Sequence, residues 1–179
     1  TAAASLPTLR KGLDRAPARE FRRQCRESEH TTQTSGFCPG FVQANFVAMP
    51  SGPAADFLKF CERNPRACPI LDVTAPGDPV PRAIAPDADL RTDIPKYRVW
   101  EHGRLTEEIT DIRRYWTDDT VAFLIGCSFS WEGVLEDAGL CPRHVTEEKN
   151  VPMYVTAVEN EASGCFRGKL VVSMRPYSP

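Results

Sequence analysis

Between Gly126 and Glu132 the chain reads Gly-Cys-Ser-Phe-Ser-Trp-Glu, a thiol, two hydroxyls and a carboxylate set against an apolar run. That is an unusual density of polar groups for a segment whose flanks read as core. If a helix starts at Ser128 or Ser130, its free N–H groups form a place to hold an anion. The plainer reading makes Cys127 a small buried hydrophobe and the serines simple caps. A second set is cationic. Arg91 and Arg98 bracket the junction between a Pro-rich loop and a hairpin, and Arg175 follows the last apolar run. Guanidinium binds carboxylate through paired N–H bonds, so these residues suit a small acidic substrate. Taken singly, each is better served by a salt bridge to Asp93, Glu101 or Glu108. Gln43 and Asn45 fall on one side of an alternating segment, where two amides could fix a carboxylate or satisfy neighbouring backbone.

Other chemistries find no support. His30, His102 and His144 form no HExxH pair, and the cysteine spacings do not match structural zinc sites. Asp87, Asp89 and Asp93 could hold magnesium or manganese, but the interleaved arginines oppose a cation. No cofactor is therefore expected, with a divalent metal as the minor alternative. Phosphate-binding glycine loops and the GxSxG hydrolase turn are absent. The formal net charge of -2 gives no pull toward nucleic acid or anionic membrane. No apolar run reaches the ~20 residues of a membrane span. The expected partner is a small carboxylate substrate; self-association into a homo-oligomer is left open. Seven cysteines, odd in number and irregularly spaced, point to reduced thiols in the cytoplasm. The Arg- and Ala-rich start offers the mitochondrial matrix as the alternative.

The elements that must carry these residues can be read from pattern. Asp118 to Ile125 predicts a helix, with acids at its start and apolar residues at helical spacing. Gly126 breaks it, and a second short helix runs through Val134, Leu135 and Ala138 to Gly139. Part of the first 29 residues is predicted helical. Alternation from Val42 to Ala48 predicts a strand, and Ser51-Gly52-Pro53 opens a helix that Asn64-Pro65 ends. Cys68–Val73 is a short strand, and four prolines mark residues 75–89 as a long loop. Tyr97–Trp100 and Arg104–Ile109 form a hairpin turning at Gly103. Val151–Thr156 continues the pattern, and Leu170–Val172 predicts a buried final strand. The expected class is mixed α/β (α+β), with two interleaved subdomains of mixed sheets and short helices. Residues 1–70 with 166–179 would form the outer one and 71–165 the inserted one, with the Pro-rich loop as the seam.

Six blocks in order carry a resemblance. They are Cys38-Pro39-Gly40-Phe41-Val42-Gln43-Ala44-Asn45, Phe60–Pro65, Asp89–Val99, Gly126–Ser130, Asn150–Tyr154 and Gly168–Pro176. Together they resemble the YcsI-like hydro-lyase family, which includes the D-glutamate cyclases. The resemblance runs from about residue 36 to 176. It implies loss of water from a small amino or hydroxy acid, as when the amine of D-glutamate attacks its γ-carboxyl carbon to give 5-oxo-D-proline. By the same resemblance Arg91 and Arg98, with Arg175, would anchor the substrate, and Asn45 and Tyr154 would orient it. Glu132 or Asp93 would act as acid and base, and N–H groups around Cys127 and Ser128 would hold the oxyanion. Cys127 as nucleophile is not required. The family continues past the final Met-Arg-Pro, so either a fragment or a shortened member is expected here. The alternative is a non-catalytic ligand-binding or assembly module related to oxoproline metabolism.

Overall fold

The computed structural model describes residues 18–34, 37–38, 40–147 and 149–177. A first helix, α1 (Ala18–Arg26), lies within the expected helical start; residues 1–17 lie outside the described residues. Then come β1 (Ala44–Pro50), α2 (Ser51–Arg63), β2 (Ile70–Val73), β3 (Tyr97–Glu101), β4 (Arg104–Ile109) and β5 (Thr120–Gly126). A 3-10 turn at Ser128–Trp131 leads into α3 (Glu132–Asp137), followed by α4 (Arg143–Thr146), β6 (Met153–Glu159) and β7 (Lys169–Ser173). The class is the expected α+β one. Pairings among the described strands are antiparallel, where mixed sheets were expected.

The centre of the molecule is β5, flanked by β1 and β2 in the order β1-β5-β2. This corrects the helix predicted over Asp118–Ile125. Val121, Phe123 and Ile125 face Ala54, Phe60 and Cys61 of α2. Ala122 and Leu124 turn the other way, toward Leu90, Phe46, Leu71 and Trp116. A strand covered on both faces is apolar throughout and loses the period of two that would mark it. The acids Asp118 and Asp119 belong to a tight turn instead, in which Thr117 donates to Asp119 at 2.6 Å and its N–H bonds Thr120 Oγ1 at 2.9 Å. Phe57 meets Phe123 edge-on, with ring centroids 4.9 Å apart, and also packs on Phe166 at 5.0 Å.

The β3–β4 hairpin turns where expected. His102 and Gly103 both have positive φ, 50° and 76°, as a tight two-residue hairpin turn requires. The second hairpin, β6–β7, pairs Met153 with Ser173 and Val155 with Val171. Val155, Val171 and Val172 are exposed, so the final strand is not the buried one predicted. Asn64 at the end of α2 ties this hairpin's loop down: its side chain donates to Glu161 O and accepts from Glu161 N–H, both at 2.8 Å. The far end is held by Arg143 N–H to Pro176 O at 2.9 Å and Met174 N–H to Pro152 O at 3.0 Å. These bonds bring Arg175 back against the turn that leaves β5. Among the described residues no helix is long and apolar enough to cross a membrane.

Candidate active site

Where β5 ends, the chain must turn sharply beside β2. Gly126 donates to Pro69 O at 2.8 Å, and a Cβ at this position would sit 3.2 Å from Pro69 Cγ. The next residues are pinned to the lead into β1: Cys127 N–H bonds Gln43 O at 3.1 Å, and Ser130 Oγ accepts Gln43 N–H at 2.9 Å. The Cys127 N–H is thereby taken, which corrects the expectation that it holds an oxyanion. Gln43's own amide is spent locally, on Phe37 O and Thr34 Oγ1.

This turn delivers Glu132 to the interior, 1% exposed, as the first residue of α3. A carboxylate so buried needs charged or donating partners. Arg175 supplies two, Nε at 3.2 Å and Nη2 at 3.0 Å from Oε1. His144 of α4, 5% exposed, places Nε2 2.9 Å from the same oxygen. The guanidinium reaches further: Nη2 bonds Ser128 Oγ at 3.1 Å and Nη1 bonds Ser173 Oγ at 2.9 Å. The two hydroxyls lie 3.2 Å apart, and Ser128 is exposed. Arg175 also lies 5.9 Å from the Phe129 ring centroid. His144 Nδ1, by contrast, is buried and has no hydrogen-bond partner among the described residues. A buried ion pair thus sits beneath a small patch of hydroxyls, with one ring nitrogen left over.

A second buried carboxylate lies elsewhere. Asp93 takes both arms of the Arg26 fork at 2.7 Å, with Thr92 Oγ1 at 2.9 Å and the Asp89 N–H at 3.0 Å. Arg91 is held by both oxygens of Asp89, at 2.9 and 2.7 Å. Burial pushes the Asp89 carboxyl up, but the bonds from Arg91 outweigh it and leave the group below the usual carboxylate range. Arg26, Arg91 and Arg113 line an open cleft of about 550 Å³ with Asp89 and Asp111.

Arg91 therefore pairs with Asp89, whose N–H bonds Asp93, and Arg98 pairs with Glu108 at 2.8 Å on the exposed hairpin. Of the three arginines expected to anchor a substrate, the one whose guanidinium meets Glu132 is Arg175. Asn45 is exposed on β1, and Tyr154 is exposed on β6 opposite Val172. Asp87 goes to Arg22 at 2.7 Å, so the three aspartates weighed as a cation site are each taken by an arginine. Among the described residues no group of three His, Cys, Asp or Glu side chains could hold a metal ion.

Residues 121–179 match the profile of a family described as D-glutamate cyclase. Over 162 residues the chain is 55% identical to a protein of Rubrobacter xylanophilus named "Putative hydro-lyase", which covers 90% of this chain and 62% of that one. It is 51% identical over 158 residues to "Putative hydro-lyase YcsI" of Bacillus subtilis, covering 88% and 62%. A Clostridium beijerinckii protein named "Putative hydro-lyase" is 54% identical over 157 residues, covering 88% and 60%. The chain is thus similar to these hydro-lyase-named proteins over most of its length, and to the D-glutamate cyclase family over residues 121–179. It spans about 60% of the length of these relatives.

The segment that matches the cyclase profile holds Ser128, Glu132, His144, Ser173 and Arg175. Three of these, Ser128, Glu132 and Arg175, are singled out by sequence. His144 and Ser173 are not. The only hint for His144 is a histidine between Pro142 and Val145, both buried, a position where an imidazole needs a partner.

Proposed function

We propose that the chain carries the proton-transfer part of a hydro-lyase site acting on a small amino or hydroxy acid, with D-glutamate cyclisation to 5-oxo-D-proline and water as the reaction. The observation that supports this most directly is the Glu132 cluster: a buried carboxylate, a buried imidazole and a guanidinium meet at one oxygen, under two hydroxyls. Cyclisation needs a cation to bind a substrate carboxylate, donors for the departing oxygen, and a group that accepts and returns a proton. Arg175, with the Ser128 and Ser173 hydroxyls, supplies the first two. Its Nη1 and Nη2 donate to hydroxyls that a substrate carboxylate can replace as acceptors. Glu132 and His144 supply the third. The cytoplasm is the compartment that suits the buried reduced thiols of Cys25, Cys38 and Cys61.

The test is conversion of D-glutamate, followed by NMR detection of 5-oxo-D-proline. Turnover should fall at least about a hundredfold in Glu132→Gln, while Asp93→Asn stays near wild type. Equal turnover in Glu132→Gln and wild type defeats the assignment. One observation favours the alternative, a ligand-binding module: Glu132 Oε1 already receives three contacts, as a structural ion pair would. That alternative predicts calorimetric binding of glutamate or 5-oxoproline with no product.

A further inference from the structure

We infer that His144, through its Nδ1 atom, is the base of this site, and that Glu132 is the carboxylate that orients it. The inference rests on the reading of the Glu132 cluster as an active site and assigns the proton within it. Arg175 can only donate, and it directs two N–H groups at Glu132 Oε1. An oxygen that accepts two such bonds is held ionised, so it cannot also donate to His144. The hydrogen in the 2.9 Å contact therefore belongs to His144 Nε2. A positive imidazole would leave Arg175 and His144 as two cations against the one carboxylate that both contact, among the described residues, where His144 and Glu132 are 5% and 1% exposed. The neutral ring balances the charge, and it leaves Nδ1 as a bare lone pair.

That lone pair is the atom with no partner among the described residues. Buried acceptors are nearly always satisfied, and one that is not marks a place where a donor arrives. A satisfied structural histidine would have both nitrogens engaged. Here one side of the ring is braced by a carboxylate and the other is buried with no partner among the described residues; in such a pairing an imidazole takes a proton and the carboxylate behind it stabilises the resulting cation. Bulk water does not reach Nδ1, so the donor is a ligand that opens this side of the ring.

The proton balance of cyclisation fits one such base. The substrate ammonium gives a proton to Nδ1, and the freed amine lone pair forms the C–N bond at the γ-carboxyl carbon. As the C–O bond breaks, Nδ1 returns that proton to the departing oxygen. The nitrogen loses its second proton to the same oxygen, and water leaves. No oxidant, reductant or further reactant is needed.

Two measurements test the assignment. In ¹⁵N NMR of imidazole-labelled protein at pH 8 without ligand, His144 should show hydrogen on Nε2 and an unprotonated Nδ1. Adding D-glutamate or 5-oxo-D-proline should shift the Nδ1 resonance. Hydrogen found on Nδ1, or no shift with saturating ligand, overturns the inference. In His144→Gln, whose amide still donates to Glu132, kcat should drop by about 10²- to 10⁴-fold with KM within about threefold. A kcat within twofold of wild type overturns it. Should that variant not fold, the NMR result on wild-type protein decides alone. Should wild type bind ligand without turnover, the hydro-lyase reading fails separately, and the tautomer with its ligand response still stands or falls by itself.

Discussion

Glu132 and Asp93 are both buried carboxylates gripped by an arginine, yet they are built for different ends. Asp93 has each oxygen in one arm of Arg26, and a threonine hydroxyl and a backbone N–H complete its shell. Its partners come from its own loop and from α1, and they tie that helix to the Pro-rich loop. Glu132 has three contacts crowded on Oε1, one of them from an imidazole whose other nitrogen is buried and unmatched. Its neighbours Ser128 and Ser173 reach toward the surface. A fully answered carboxylate is a fastening. One that braces an unanswered base, beside hydroxyls, is the arrangement on which the proposed proton transfer rests. The contrast also bears on the charge-dense stretch from Asp87 to Asp93, which attracts attention in the sequence: Asp87, Asp89 and Asp93 are each paired with an arginine.

The comparison can be broken most directly by removing each carboxylate in turn. Glu132→Ala leaves Arg175 buried without its counter-charge and should cost about 3–5 kcal/mol, with loss of D-glutamate turnover. Asp93→Asn keeps its shape and part of its hydrogen bonding, so it should cost less, about 1–3 kcal/mol, with turnover retained. Urea unfolding and product NMR on both variants read the two effects. If Asp93→Asn abolishes turnover in a folded protein, the two centres are not functionally distinct.

A smaller effect concerns acid. The bonds and charge of Arg113 hold the Asp111 carboxyl below its ordinary value, and the bonds from Arg91 do the same for Asp89 against the pull of burial. A depressed carboxyl stabilises the fold above its unfolded pKa of about 4 and loses that contribution as pH falls through the folded value. Stability measured from pH 5 to pH 2 should therefore decline, and the decline should be shallower in Arg91→Ala. An unchanged slope would mean that this cleft adds nothing to acid sensitivity.

The smallest expected signal is chemical. Burial pushes the Cys25 thiol up to about 12 and the Cys61 thiol up to about 11, so both stay protonated near neutrality. Exposed Cys165 should be alkylated by iodoacetamide at pH 8 well before either, as peptide mass spectrometry would show. Early labelling of Cys25 would mean that the contact between α1 and the loop opens readily.

Much of the fold is legible from pattern. The alternation of β1, the proline-capped start of α2, the glycine turn of the β3–β4 hairpin and the short α3 all follow from local rules, because each is fixed by neighbours a few residues away. The strand β5 escapes those rules. Its residues are apolar on both faces because α2 covers one side and the Leu90 cluster the other, and that cover is invisible in a window of eight residues. β7 misleads in the opposite sense: three apolar residues suggest burial, but two of them, Val171 and Val172, are exposed in the hairpin.

The sequence alone determined the α+β class, most element boundaries, the family resemblance, and the polar turn at 126–132 with Ser128 and Glu132 in it. Only the tertiary structure decided which arginine meets Glu132. Arg175 lies 43 residues away along the chain and His144 lies 12, and both reach the carboxylate because the β6–β7 hairpin and α4 fold back across the end of β5. Local pattern encodes how a segment bends and which face is apolar. The convergence of distant charges on one oxygen depends on the path of the whole chain.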